Sequence, residues 1–93
     1  MRLDQFLKIS RLVPRRSVAQ EFCDAGLVSV NGAAAKSSKE VKVGDSIEIK
    51  RRLRLTNVLV TEIPASKQVS KEAAGKLYEV TGDEVLGDEL DLI

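Results

Sequence analysis

The chain has 93 residues, 43% of them hydrophobic and 31% charged, which gives room for one globular domain with a modest core but not for two. Histidine is absent and Cys23 is the one cysteine, so an internal disulfide, a multi-cysteine zinc site and a histidine general base are excluded. The near-neutral total hides a split, because residues 1–54 carry 12 basic and 6 acidic side chains whereas residues 55–93 carry 3 and 8. This asymmetry favours a polyanion-binding N-terminal half.

The first predicted helix covers residues 2–12. Its apolar and charged side chains separate at helical spacing into an inward stripe and an outward stripe. The inward stripe is Leu3, Phe6, Leu7 and Ser10, and the outward, mainly basic stripe is Asp4, Lys8 and Arg11. We expect Pro14 to end this helix, because the residue before a proline avoids the α region.

A second helix is predicted to start at Ser17 and to be stopped by Gly26, the residue just past its end. Ser17 and Gln20 have the S-x-x-Q spacing of a capping box, and a glycine commonly stops a helix. Arg15 and Arg16 lie just before the predicted start. Because a helix N-terminus favours anions and a guanidinium matches phosphate oxygens, this segment predicts a phosphate site. We expect Cys23 to be a small buried hydrophobe of this helix.

From Leu27 the hydrophobic period changes to two, which predicts strands. Asn31-Gly32 is the signal for a tight hairpin. The predicted strands are 28–30, 33–36, 46–50, 55–63 and 78–81, with a helical turn at 70–77. The strand 55–63 is apolar on both faces, so we expect it to be central or covered on both faces. The fold class is therefore α+β, with two N-terminal helices packed on a small antiparallel sheet of four to five strands. We expect a domain at 1–64, an extension at 65–81 and an acidic, disordered tail at 82–93.

Several segments, in order and spacing, resemble the S4-type RNA-binding domain, named after the small-subunit ribosomal protein S-four. They are R-L-D-Q-F-L at 2–7, R-R-S at 15–17, G-L-V-S-V-N-G at 26–32, Lys36, and V-K-V-G-D-S-I at 41–47. The resemblance covers about residues 2–50, and its ordered set is specific although no single segment is. In length the chain looks like stand-alone members, first those of bacterial ribosome-associated quality control and next the heat-shock ribosome-recycling type.

The resemblance implies an αL-type RNA-binding motif in which one helical face contacts structured RNA. The matching positions are Arg2, Asp4, Lys8, Arg11, Arg15, Arg16, Ser17, Lys36 and Lys39. For Asp4 three interpretations stay open: it orients a neighbouring arginine, accepts a hydrogen bond from RNA, or pairs with Lys8 along the helix. Ser17 is a cap, a ligand or both. No exposed aromatic side chain is expected on the helices, so the RNA should be recognised by shape and backbone.

A second basic group follows the resembling segment and consists of Arg51, Arg52 and Arg54. It is interpreted either as a further surface for RNA or protein, or as protection of a strand edge against pairing. A protein adaptor that uses this group or the acidic tail is compatible with RNA binding.

The function implied by the resemblance is that of a non-catalytic factor of the large ribosomal subunit. It would bind rRNA and tRNA on obstructed subunits while stalled chains receive C-terminal alanine tails, with a nascent-chain tailing factor as a protein partner. The alternatives are ribosome recycling of the heat-shock type and binding of another structured RNA. No nucleotide-binding, metal-binding or nucleophile motif is present. We therefore expect a cytoplasmic monomer that is no enzyme, needs no cofactor or metal, and binds neither membrane nor DNA.

Overall fold

The structure is a computed structural model and describes residues 1–66 and 68–85. The helices of these residues are α1 (Leu3–Ile9), α2 (Arg16–Asp24) and α3 (Lys71–Ala74), and the strands are β1 (Val28–Val30), β2 (Ala33–Ala34), β3 (Ser46–Arg51), β4 (Arg54–Val60) and β5 (Tyr78–Val85). Within these residues no helix has the length and apolar character that a membrane crossing requires.

All five strands join one antiparallel sheet in the order β2-β1-β3-β4-β5. The register places Ile47 of β3 between Val30 of β1 and Val58 of β4, so that buried side chains line up across one face. The predicted fold class is confirmed by this arrangement. Of the two alternatives for the strand after Arg54, the central position is confirmed, because β4 lies between β3 and β5.

The turn between β1 and β2 has the predicted residues in the predicted conformation. Asn31 and Gly32 have φ values of 52° and 86°, the positive values that a type I′ turn requires. The Asn31 side chain also reaches the start of β3, where its Oδ1 accepts from the Ser46 backbone N–H at 2.9 Å and its Nδ2 donates to Asp45 at 3.1 Å. Asn31 therefore has a structural role in joining this hairpin to the next strand.

The hydrophobic core lies between the two N-terminal helices and one face of the sheet. Most of its large, fully buried side chains come from α1 and from alternate positions of the central strands: Leu3, Phe6, Leu7, Val28, Ile47, Ile49, Val58 and Val60. Val13, Val41 and Leu77, which lie between the helices and strands, are buried with them. From α2, Ala19 and Cys23 are buried in the same cluster. Burial, with a smaller contribution from the Asp4 and Asp24 carboxylates, raises the pKa of the Cys23 thiol to about 11, as suits a buried cysteine without a reactive role.

Several predicted boundaries are wrong. Strand β2 ends at Ala34 instead of residue 36, and the helical turn predicted at 70–77 is confined to Lys71–Ala74. Helix α1 stops at Ile9, well before Pro14, because Arg11 adopts the left-handed conformation that ends helices (φ 63°). Strand β4 ends at Val60 instead of residue 63. Strand β5 continues to Val85, so residues 82–85, predicted as disordered tail, pair with β4. The remainder of that tail, residues 86–93, lies outside the described residues.

Candidate nucleic-acid interface

A fully buried carboxylate lies between the first turns of α1 and α2. The Asp4 side chain has an exposed fraction of 0%, whereas the sequence predicted it on the outward face of α1. The prediction failed because Asp4 follows Leu3 around the helix, at the edge of the apolar stripe, and α2 covers that edge. Asp4 makes no pair with Lys8; its side chain accepts hydrogen bonds from both sides of the helix pair instead.

The side chains that surround Asp4 are two arginines and one glutamine. Arg2 donates from Nε to Oδ1 at 3.2 Å and from Nη2 to Oδ2 at 3.3 Å. Arg16 donates from Nε to Oδ2 at 3.2 Å, and Gln20 donates from Nε2 to the same oxygen at 2.8 Å. The Gln5 backbone N–H completes the set at 2.8 Å from Oδ1. Both carboxylate oxygens are therefore saturated, and one carboxylate holds two guanidinium groups.

We call Asp4, Arg2, Arg16 and Gln20 the Asp4 cluster. The charge of the Asp4 cluster is set by the balance between burial and hydrogen bonding. Burial alone raises the pKa of the Asp4 carboxyl, but hydrogen bonds from Gln20, Arg2 and Arg16 outweigh it and hold the pKa below its ordinary value. Asp4 is thus ionised at neutral pH, and with the two arginines the cluster carries one net positive charge. The arginine side chains are 46% and 44% exposed, so they cover the carboxylate and still face solvent.

Arg16 keeps part of its guanidinium available. Its Nε is bound to Asp4, while within the described residues its two terminal nitrogens make no hydrogen bond. A guanidinium that is fixed at one edge and open at the other has lost much of its side-chain freedom before a ligand arrives. Such preorganisation lowers the entropy cost of binding a phosphate. The interpretation of Asp4 as a residue that orients neighbouring arginines agrees with this geometry.

The start of α2 differs from the predicted capping box. The helix begins at Arg16, with Arg15 as an extended N-cap residue (φ −135°) that provides no side-chain cap. Ser17 is exposed inside the first turn, and Gln20 binds Asp4 instead of closing a box. The first turn contains no acidic residue. The positive end of the helix dipole therefore lies beside Arg15 and Arg16, as the phosphate-site prediction requires.

The loop after β2 lies against the start of α1 and brings two lysines to the same end of the molecule. The backbone N–H of Leu3 donates to the Lys39 carbonyl at 2.7 Å, and that of Asp4 donates to the Ser37 carbonyl at 3.1 Å. Arg2 forms a strand-like bridge with Glu40, whose carboxylate pairs with the N-terminal amine of Met1. Lys36 and Lys39 are exposed in this loop and so lie near the Asp4 cluster.

Lys8 and Arg11 lie at the other end of α1, where both side chains are exposed. Neither makes an ion pair within the described part of the chain. The structure thus divides the nine predicted positions among four places. They are the Asp4 cluster with Arg2 and Arg16, the start of α2 with Arg15 and Ser17, the loop after β2 with Lys36 and Lys39, and the end of α1 with Lys8 and Arg11. Sequence reasoning missed the role of Gln20, although its position four residues after Arg16 places both side chains on one face of α2.

The three arginines of the second basic group do not form a single surface that is open to a ligand. Arg51 donates a hydrogen bond to the backbone carbonyl of Leu12 and so joins β3 to the connection between the helices. Arg54 makes a two-point contact with Asp83 of β5, at 2.7 and 2.6 Å. The hydrogen bonds between them raise the pKa of Arg54 and lower that of Asp83. Arg52 is exposed in the turn between β3 and β4.

Comparison with known proteins gives relatives for nearly the whole chain. Residues 1–47 match the S4 domain family. A Bacillus subtilis protein named RQC P-site tRNA stabilizing factor is 42% identical over 88 residues, which cover 95% of this chain and 100% of that protein. A protein of the same name from Halalkalibacterium halodurans is 45% identical over 84 residues, covering 90% and 93%. Among solved structures, the trimeric Heat Shock Protein 15 of Vibrio cholerae has a TM-score of 0.79 at 32% identity, covering 87% of this chain and 81% of that one.

Proposed function

This chain belongs to the S4 domain family, and from that premise we propose that it is a non-catalytic RNA-binding factor that stabilises tRNA on the large ribosomal subunit. The stage of protein synthesis is ribosome-associated quality control, in which obstructed subunits carry a tRNA with an unfinished chain and alanine is added to that chain. The name shared by relatives that cover nine-tenths or more of the chain supports this assignment. A cytoplasmic location follows from the same proposal.

The observation that carries the proposal is the Asp4 cluster. It holds the guanidinium groups of Arg2 and Arg16 at the surface, beside the uncapped start of α2 and the loop of Lys36 and Lys39. These groups suit phosphate oxygens, and among the described side chains of α1 and α2 no exposed aromatic is present for base stacking. The protein would therefore recognise the backbone and shape of folded RNA.

The proposed mechanism is stabilisation by binding. One part of the basic surface contacts rRNA while another contacts tRNA, so that each RNA favours the bound position of the other. No bond is made or broken by this chain, and its contribution to alanine addition is to keep the tRNA in place for a tailing factor. Binding free energy alone is sufficient for such a role, because a ligand stabilises the state to which it binds better.

The first experiment measures how Arg16 contributes to RNA affinity. In Arg16→Ala we expect affinity for tRNA-bearing large subunits to fall by about tenfold, and the slope of log K against log salt to shrink by about one unit, because one phosphate contact is lost. Arg16→Lys should recover only part of the affinity, since it keeps the charge without the planar fork. The matched control is Lys50→Ala, which removes one charge from β3 at a position that alternates with the buried Ile49.

Sedimentation then tests whether the protein binds the large ribosomal subunit. Tagged protein should co-migrate in a sucrose gradient with free large subunits that bear tRNA and an unfinished chain. Protein that stays at the top with a discrete small RNA would favour binding of another structured RNA. An Arg16→Ala protein with unaltered affinity and salt slope would remove the Asp4 cluster from the interface.

A second candidate function is ribosome recycling of the heat-shock type, supported by the structural likeness to Heat Shock Protein 15. The two functions differ in their product. Reconstituted reactions with obstructed subunits should give longer C-terminal alanine tails when the protein is added, measured by mass spectrometry of the stalled chain. Release of the tRNA without tails would favour recycling.

A further inference from the structure

A groove lies between the end of α1 and the segment that precedes α3. Its volume is about 260 Å³, and its walls come from two distant parts of the chain: Lys8, Ile9, Arg11 and Pro14 on one side, Gln68 and Val69 on the other. Ligand pockets in proteins typically measure roughly 300 to 1,000 Å³. The groove is thus slightly smaller than a site for a whole cofactor, and its size suits a single planar ring system with its substituents.

The chemistry of the walls is mixed in a definite way. Pro14 and Val69 offer apolar surface, together with the small part of Ile9 (5%) that is exposed, and the exposed Lys8 and Arg11 offer two cations. Within the described residues no carboxylate pairs with these cations. In the same residues the side-chain amide of Gln68 makes no hydrogen bond, although it can both donate and accept. The groove therefore offers two cations that suit an anion, an apolar surface, and a side-chain amide that can form hydrogen bonds.

The backbone at Arg11 gives a second, independent observation. Arg11 has φ 63° at the position just past the C-cap of α1, where glycine is the usual residue because a Cβ is unfavourable there. Departures from local preference are concentrated at functional sites. Arg51 also holds the next carbonyl of this connection, that of Leu12, so the wall of the groove is fixed by β3.

We propose that this groove receives one unpaired nucleotide of the bound RNA. Its phosphate lies between Lys8 and Arg11, its base packs on Ile9, Pro14 and Val69, and Gln68 hydrogen-bonds the edge of the base. The inference rests on the proposed RNA-binding function and extends it from backbone contacts to one base. Unstacked bases of loops and bulges are what proteins read in RNA, because the paired bases of an A-form helix are poorly accessible. The two cations, with which no carboxylate of residues 1–66 and 68–85 pairs, favour a nucleotide over an apolar ligand.

The test compares two RNA hairpins that differ by a single unpaired nucleotide in the stem. The unmodified protein should bind the bulged hairpin more tightly than the fully paired one. The double variant Gln68→Ala/Val69→Ala removes the base contacts made by one wall of the groove and leaves every basic side chain in place. We expect it to lose about tenfold in affinity for the bulged hairpin, and less than twofold for the paired one.

The outcomes separate the inference from the function on which it rests. Equal binding of both hairpins, unchanged in the double variant, overturns the nucleotide groove and leaves RNA binding intact. Failure of both hairpins to bind, at a salt concentration where electrostatic contacts hold, overturns RNA binding itself. If the variant loses affinity for poly-L-glutamate but not for bulged RNA, the groove accepts an acidic peptide and the proposal is wrong.

Arg11→Gly gives a variant whose folding is not at risk. Glycine relieves the left-handed backbone, so the urea midpoint should stay the same or rise. Affinity for the bulged hairpin should nevertheless fall by several-fold, because the guanidinium is gone. If Arg11→Gly keeps full affinity for the bulged hairpin, Arg11 only ends a helix and the proposal fails.

Discussion

Two groups of arginines in this chain are partnered in different ways. Arg2 and Arg16 are 14 positions apart in sequence, yet both donate to the one buried carboxylate of Asp4. Arg51 and Arg54 are close in sequence, yet each has its own acceptor, the Leu12 carbonyl and the Asp83 carboxylate. The first group keeps net positive charge and open donors at the surface, whereas the second is used to join parts of the fold. The ratio of donors to acceptors, and not the density of arginine in the sequence, decides which group is available to a polyanion.

The largest expected effect is on the group that shares a carboxylate. Asp4→Asn should lower the free energy of unfolding by about 1 to 3 kcal/mol, because the amide nitrogen of asparagine cannot accept from Arg16 or Gln20. The loss is smaller than for a fully buried ion pair, since both guanidinium groups are half exposed to solvent. Urea unfolding followed by circular dichroism measures it.

The matched control for this substitution is Asp83→Asn, the same chemical change at the carboxylate of the second group. Asp83 lies at the surface and its partner Arg54 can turn to solvent, so the urea midpoint should hardly move. If Asp83→Asn destabilises the protein as much as Asp4→Asn does, a carboxylate that binds two arginines contributes no more to stability than one that binds a single arginine.

Local sequence patterns were sufficient to predict most of the fold. The Asn31-Gly32 turn, the stop at Gly26 and the alternation around Ile47 and Ile49 each depend on neighbours within a few residues, and the structure confirms all three. Helix ends were harder, because the left-handed Arg11 breaks the preference for glycine and gives no sequence signal.

The interior of the site could not be predicted from single segments. The helical pattern placed Asp4 outward, and only the docking of α2 buries it. The link between Arg51 and Leu12 joins residues 39 positions apart and follows no local rule. Arg15 and Arg16 were predicted from their place before a helix start as well as from resemblance to a family, and the complete set of nine positions came from that resemblance. The contacts of all nine with RNA stay predictions.

A smaller effect on stability is expected when Arg51 of the second group is replaced. Arg51→Ala should lower the free energy of unfolding by about 1 kcal/mol, because the half-buried guanidinium no longer satisfies the Leu12 carbonyl. Its neighbour Arg52 is exposed in the turn, so Arg52→Ala should leave stability unchanged. Arg16→Ala should show the reverse balance, with a larger loss of RNA affinity than of stability. Equal stability in the two neighbouring variants would mean that the bond from Arg51 contributes nothing.

The smallest effect is a pH dependence that reports the charge of Asp4. Because hydrogen bonds hold the pKa of this carboxyl below its ordinary value in the folded protein, the unfolded chain takes up its proton first as pH falls. The stability contributed by the Asp4 charge is therefore complete above the unfolded pKa of about 4, and is lost as pH falls through the folded pKa.

Glu40 and Asp83 also have lowered pKa values, so the wild-type curve alone cannot isolate Asp4. The informative quantity is the stability difference between wild type and Asp4→Asn, measured by urea unfolding from pH 7 to pH 2.5. It should be constant at neutral pH and shrink below about pH 4. A difference that stays constant down to the lowest pH would show that the shape and hydrogen bonds of Asp4 matter without its charge. Two arginines would then remain together without a counter-ion, and the cluster would need another source of attraction.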